Sequence, residues 1–247
     1  MTGLQLQHPD NSLSEYADDC YLVIPASASH TIINELDNIS KWATKCNLKL
    51  NKQKTKEIII CNKKCNKSNL PLPLPDIERV SSICALGVTF DTNFSFEQHL
   101  DNILCKGHQR LYALKTLKTH GLSSIALSNV TRSILFPILT YACSAWWGFL
   151  SSSDLQRLNS LLKKSKKWDL LTGTLPTFES LCEKSDLTLF RAIIGNNNHA
   201  LNHLLPPVKE TKHNLRRNKT HNRVLPPNST ALLSRNFLNR MLFKRIY

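Results

Sequence analysis

Residues 14–22 read SEYADDCYL, and this stretch places two carboxylates, Asp18 and Asp19, side by side. Like charges at contact distance repel, and neither is buried without a proton or a cation. Two chemistries suit such a pair. One is a polar hairpin turn, where Asp tolerates unusual backbone angles. The other is a site for a hard divalent cation, which takes carboxylate oxygens. A second chemistry-bearing stretch runs from Lys41 to Lys67 and holds nine lysines against one acid, Glu57. Further basic runs are LLKKSKKW at 161–168 and KETKHNLRRNKTHNR at 209–223. Of the eight cysteines only Cys61 and Cys65 lie close together, in CNKKCNK. With no second pair at finger spacing, and only His108 and His120 as further partners, the pattern disfavours a zinc site.

The elements around these residues follow from periodicity. Residues 12–24 read as a β-hairpin with YADD at its corner and CYLVI as the return strand, closed by Pro25. Ile32, Leu36, Ile39, Ala43 and Cys46 recur at helical spacing. TKEIIIC (55–61) predicts a strand, PLPLP an extended segment, and RVSSICALGVTFD a second strand pair in which Gly87 marks a close approach. From Ser95 the pattern turns helical. One helix carries Leu100, Leu104, Leu111, Leu114 and Leu117 and ends at Gly121; a second spans 123–149 with a bend at Pro137. A third is SSDLQRLNSLLKKSKKW, with leucines on one side and lysines on the other. FESLCEKSDLTLFRAIIG predicts two helices, and a basic, proline-punctuated loop and a cationic helix close the chain. Tryptophans 42, 146 and 147 read as packing residues.

Bulk properties agree with an α+β protein that meets a polyanion. The 247 residues are 41% hydrophobic, and 32 Lys and Arg against 18 Asp and Glu give a formal charge of +14. Such an imbalance points to nucleic acid. The N-terminal MTGLQLQHPDNS has no apolar run of the secretory kind, so the expectation is an intracellular protein, nuclear or cytoplasmic, with reduced thiols. Residues 133–153 carry no charge, but Pro137, Thr140, Ser144 and Gly148 dilute them, which favours a buried helix over a membrane span. An acidic pair on a hairpin within a basic chain is what nucleotidyl transfer needs: two divalent cations clamp the attacking hydroxyl and the leaving phosphate.

The hairpin resembles motif C of reverse transcriptases, in the YADD form found in jockey-like non-long-terminal-repeat retrotransposons. The resemblance continues in order through Trp42, LKLN at 48–51 and KQKTKE at 52–57, which is similar to motif D, and ICALGVTFDTNFSFEQHL, similar to the primer grip leading into the thumb. It implies a partial polymerase palm over 1–91 (antiparallel hairpins plus a helix), a helical thumb and connection over 92–170, and a helical to irregular basic region over 171–247. Asp18 would then bind Mg²⁺ or Mn²⁺ with Asp19 in support. Tyr16 and Ala17 would shape the floor under the primer end. Lys54 would assist the departing pyrophosphate, with Lys52 and Lys56 as alternatives. Leu86, Gly87 and Val88 would hold the primer through their backbone. RNA template and DNA primer would be the partners, with no membrane involved.

The same resemblance calls for a third carboxylate on an earlier strand, motif A, and for a nucleotide-positioning block, motif B. Only 15 residues precede Tyr16, and Asp10, in HPDNS, lacks the apolar neighbours of a strand. The expectation is therefore a truncated polymerase segment, inactive alone and completed by a missing N-terminal polymerase part. The alternative is a non-catalytic nucleic-acid-binding relic.

Overall fold

The computed structural model describes residues 4–61, 70–209, 221–227 and 230–244. Helices and small two-stranded sheets alternate along the chain, in agreement with the α+β class. Two compact units, Met1–Ile83 and Cys84–Tyr247, divide it. Cys65 of the CNKKCNK pair and most of the third basic run lie outside the described residues.

In the first unit β1 (Ser12–Tyr16) and β2 (Asp19–Val23) pair antiparallel, from Ser12 opposite Val23 to Tyr16 opposite Asp19. A 3₁₀ turn, Ala26–Thr31, then leads into α1 (Ile32–Lys45). Ile39 and Ala43 are buried on the expected face, whereas Cys46 is exposed. Glu35 shares that face and is fully buried. Its carboxylate accepts hydrogen bonds from the amides of Gln7 and His8 and from Asn11 Nδ2, each at 2.9 Å, and so ties the N-terminal segment to α1. Burial opposes its ionisation, but the hydrogen bonds from Asn11, His8 and Gln7 outweigh that and hold the carboxyl below its ordinary range.

The strand expected over 55–61 is confined to β3 (Lys56–Glu57), which pairs in parallel with β4 (Glu78–Arg79). The ladder ends at the Val80 amide bonded to the Glu57 carbonyl (2.8 Å). Arg79 forks onto the Glu57 carboxylate at 2.6 and 3.1 Å and also donates to the carbonyls of Pro71 and Leu72. That fork holds the proline-rich segment extended beside the pair.

In the second unit β5 (Ser82–Ala85), which leads into that unit, and β6 (Val88–Asp91) form a two-stranded sheet. Asp91 Oδ1 accepts the amides of Asn93 and Ser95, both at 2.8 Å, and turns the chain into α2 (Glu97–Thr119). Gly121, at φ +84°, closes that helix. Next, α3 (Ser124–Thr140) contains Pro137. The break lies later, at Tyr141–Ala142, where Ala142 takes a left-handed φ of +48° and Trp146 Nε1 bonds the Tyr141 carbonyl at 3.0 Å. α4 (Cys143–Trp146) follows, then α5 (Ser152–Lys167), opened by a reciprocal Ser151–Asp154 cap. α6 (Phe178–Gly195) is one helix, not two. Its mid-helix Ser185–Asp186 does not break it, because the Asp186 carboxylate faces inward and is paired with Trp147 and Arg240. Two short helices, α7 (Ala231–Arg235) and α8 (Phe237–Phe243), come last.

Leu100, Leu111, Leu114, Leu135, Leu139, Trp146, Leu158, Leu162 and Phe178 lie wholly inside the core of this unit. The stretch Ser124–Phe149 is long and apolar enough to cross a membrane; 28% of its most apolar part is buried, and its Leu127, Leu135, Leu139 and Trp146 pack into this core. Gly107 lets α2 and α5 approach closely: a Cβ there would stand 2.9 Å from Leu161 Cδ2.

Candidate functional site

Strand pairing brings Tyr16 opposite Asp19 and leaves Ala17 and Asp18 as the two-residue loop of the β1–β2 hairpin. Ala17 adopts φ +50°, a left-handed conformation that costs a non-glycine residue free energy and that tight hairpin loops demand. Both carboxylates are exposed, as is Tyr16. Asp19 Oδ2 accepts a long hydrogen bond from the Tyr21 hydroxyl at 3.5 Å, linking positions two apart on one face of β2. On the same strand Cys20 is exposed, and its thiol is raised first by partial burial and then by the negative charges of Glu15 and Asp19. The turn is therefore a small, accessible, electronegative tip.

Two adjacent carboxylates are suitable donors for a hard divalent cation, but they are an incomplete set for a two-ion site. Among the described residues no group of three or more His, Cys, Asp or Glu side chains gathers to hold a metal. His108 and His120 do not change this; His108 Nδ1 lies 2.8 Å from its own helix's Leu104 carbonyl.

The lysines similar to motif D lie in the same unit. Lys52 Nζ sits 3.1 Å from Asp76 Oδ2, and Lys56 is paired with Glu78. Between them the Asn51 carbonyl and carboxamide oxygens both accept from the Lys54 amide, which shapes a tight turn. Lys54 itself is exposed and makes no ion pair among the described residues. Lys52 and Lys56 are thus committed to neighbouring acids, while the Lys54 ammonium is available.

Leu86, Gly87 and Val88 lie in the second unit, at the turn from β5 to β6. Leu86 (φ +46°) and Gly87 (φ +83°) are both left-handed, as a two-residue hairpin turn of the primed type requires. Tyr141 clamps this turn. Its hydroxyl donates to the Leu86 carbonyl at 2.9 Å, and its ring edge lies so near Gly87 that a Cβ would meet Cε1 at 3.1 Å. Tyr141 was not legible from the sequence, where it sits in an apolar run 55 positions from its partner. Trp168 ends the basic run LLKKSKKW, and its role lies in contacts that the run does not show. The ammonium groups of Lys115 and Lys164 lie over its ring, 5.2 and 4.8 Å from the centroid.

No family model matches the chain, and no solved structure matches it. Among curated proteins it is similar to the RNA-directed DNA polymerase from mobile element jockey of Drosophila melanogaster, at 23% identity over 167 residues. That match covers 65% of this chain but 18% of the polymerase, so the chain spans less than a fifth of its relative. The likeness supports a reverse-transcriptase-like relationship for this chain.

Proposed function

We propose that the chain is a segment of an RNA-directed DNA polymerase from a non-long-terminal-repeat retrotransposon, with its metal-binding hairpin at YADD. The observation that carries this reading is the placement of Asp18 in the accessible two-residue turn of an antiparallel hairpin and of Asp19 at the start of its return strand, in a chain similar to such a polymerase. Asp18 and Asp19 would hold Mg²⁺ or Mn²⁺, which supplies charge neutralisation at the phosphates being exchanged. Lys54 is the available cation for the departing pyrophosphate. Tyr141 fixes the Leu86–Gly87 turn so that Leu86, Gly87 and Val88 present ordered backbone to a primer strand. Residues 1–91 then act as palm, 92–170 as thumb and 171–247 as a basic extension, with RNA template and DNA primer as substrates.

The incomplete donor set makes a third carboxylate, from a strand outside the described residues, a requirement for activity. A primer-extension assay on an RNA template with Mg²⁺ or Mn²⁺ tests this. The chain alone is expected to incorporate no nucleotide above background; incorporation that Asp18→Ala abolishes would contradict that requirement. The same incompleteness favours a second reading, a nucleic-acid-binding relic. Under it, primer–template binding persists unchanged in Asp18→Ala, and no added palm segment elicits synthesis.

A further inference from the structure

Three contacts run in the same direction along α2 and α5: Asp101 with Arg157, Gly107 against Leu161, and Lys118 with the Trp168 carbonyl. The two helices are therefore parallel, and their C-terminal ends meet at one end of the unit. Charge is sorted along both. The acids Glu97, Asp101 and Asp154 occupy their N-terminal parts, while Lys115, Lys118, Lys163, Lys164, Lys166 and Lys167 occupy the shared C-terminal end. Lys118, Lys164, Lys166 and Lys167 lie in the last turns, where helix dipoles favour cations, and Lys115 and Lys163 extend the basic end beyond them. Between the ends lies an open groove lined by Lys115, Lys118, Thr119, Lys167, Trp168 and Asp169.

These lysines are arranged as well as abundant. Trp168 holds Lys115 from one helix and Lys164 from the other over its half-buried ring. Lys118 Nζ is fixed between the Trp168 carbonyl (2.9 Å) and Asp169 Oδ2 (3.2 Å). A free lysine loses much rotamer entropy when it grips an anion, and a lysine already held loses less. Asp169 is the single acid in the groove.

We propose that the joined ends of α2 and α5 form a docking platform for a nucleic-acid phosphate backbone, with Trp168 as the residue that positions its lysines. The choice of nucleic acid over other polyanions rests on the polymerase reading above and on the +14 charge of the whole chain. The platform and the YADD hairpin are built from different residues, so each has its own variants and its own readout.

Fluorescence anisotropy of a labelled RNA–DNA hybrid, titrated with the full chain over a series of KCl concentrations, tests the platform. Each phosphate contact contributes about 0.9 to the slope of log affinity against log salt. The variant K115Q/K118Q/K164Q/K167Q is expected to lower that slope by about 3 to 4, with the circular dichroism unchanged. A control, K41Q/K45Q/K49Q, removes three charges from the other unit and is expected to leave most of the slope intact. W168L keeps an apolar side chain but removes the ring face, so affinity should fall severalfold with the slope unaltered. Equal slopes in the platform variant and the parent overturn the proposal, as does an equal loss in both lysine variants. Loss of binding to phosphatidylserine vesicles with hybrid binding retained would assign the platform to a membrane instead and also overturn it. The polymerase reading is scored by a different readout, primer extension, so a failure of either is told apart from a failure of the other.

Discussion

Tyr141 and Glu35 are two polar side chains whose importance lies entirely in tertiary contacts. Tyr141 donates to the Leu86 carbonyl and packs on Gly87. Removing only the hydroxyl, in Tyr141→Phe, should cost about 1 kcal/mol, while Gly87→Ala should cost more, because it adds a Cβ against the ring at a left-handed φ. Chemical denaturation of the two variants checks that order. Glu35→Gln weakens a buried acceptor of three donor groups and should destabilise the first unit by about 1–3 kcal/mol. Hydrogen exchange at the Gln7 and His8 amides is the measurement, and unchanged protection would contradict the anchoring role. The carboxylates of YADD were legible because their meaning is local: adjacency, an aromatic before and a β-rich strand after. Glu35 was partly legible, since it lies three residues after Ile32 and four before Ile39, on the apolar stripe. Its partners 24 to 28 positions away were not.

Elements were legible wherever a local punctuation mark coincided with the tertiary structure. Gly121 ends α2 and the β5–β6 pair turns at Gly87, as the sequence implies. Errors arose where a distant partner overrode the local signal. The single helix expected over 123–149 ends at Thr140, and the chain breaks at Tyr141–Ala142 beside buried Trp146. Two helices are expected over FESLCEKSDLTLFRAIIG, but the structure has one, with Asp186 buried within it. Its Oδ2 accepts from Trp147 Nε1 at 2.9 Å and from Arg240 at 3.0 Å, and the Arg240 guanidinium lies 4.8 Å from the Trp147 ring centroid. This cluster fastens α8 to α6 and to the segment after α4. Arg240→Met leaves an uncompensated buried carboxylate and should cost about 3–5 kcal/mol in urea denaturation. The double variant Asp186→Leu/Arg240→Met should recover part of that loss; a double variant as unstable as the single would contradict the pairing.

At the scale of the molecule, the two units are expected to respond to acid in different ranges. His99 is buried against Trp146 in the second unit, and burial, aided by the charge of Lys106, pushes its pKa below the ordinary value. The unfolded chain then binds the proton more readily, so the stability His99 contributes is present above about pH 6.5 and is lost as pH falls below it. Glu35 is likewise held below its ordinary value, and its contribution to the first unit is present above about pH 4.5 and lost as pH falls further. Unfolding followed by probes in each unit should show the second unit losing stability from near-neutral pH and the first unit only in acid. His99→Gln should remove the near-neutral component. Charge was the whole-molecule property most legible in the sequence. Where that charge concentrates was not, because the parallel alignment of α2 and α5 joins residues 115–118 to 164–168, some 50 positions apart.

The central claim is that the YADD hairpin belongs to a polymerase and needs a complete palm around it. The most direct test is a chimera in which this chain replaces the matching segment of the jockey polymerase, assayed for primer extension on an RNA template. The account predicts nucleotide incorporation by the chimera, falling at least a hundredfold with Asp18→Ala. Incorporation that survives Asp18→Ala undiminished would contradict it.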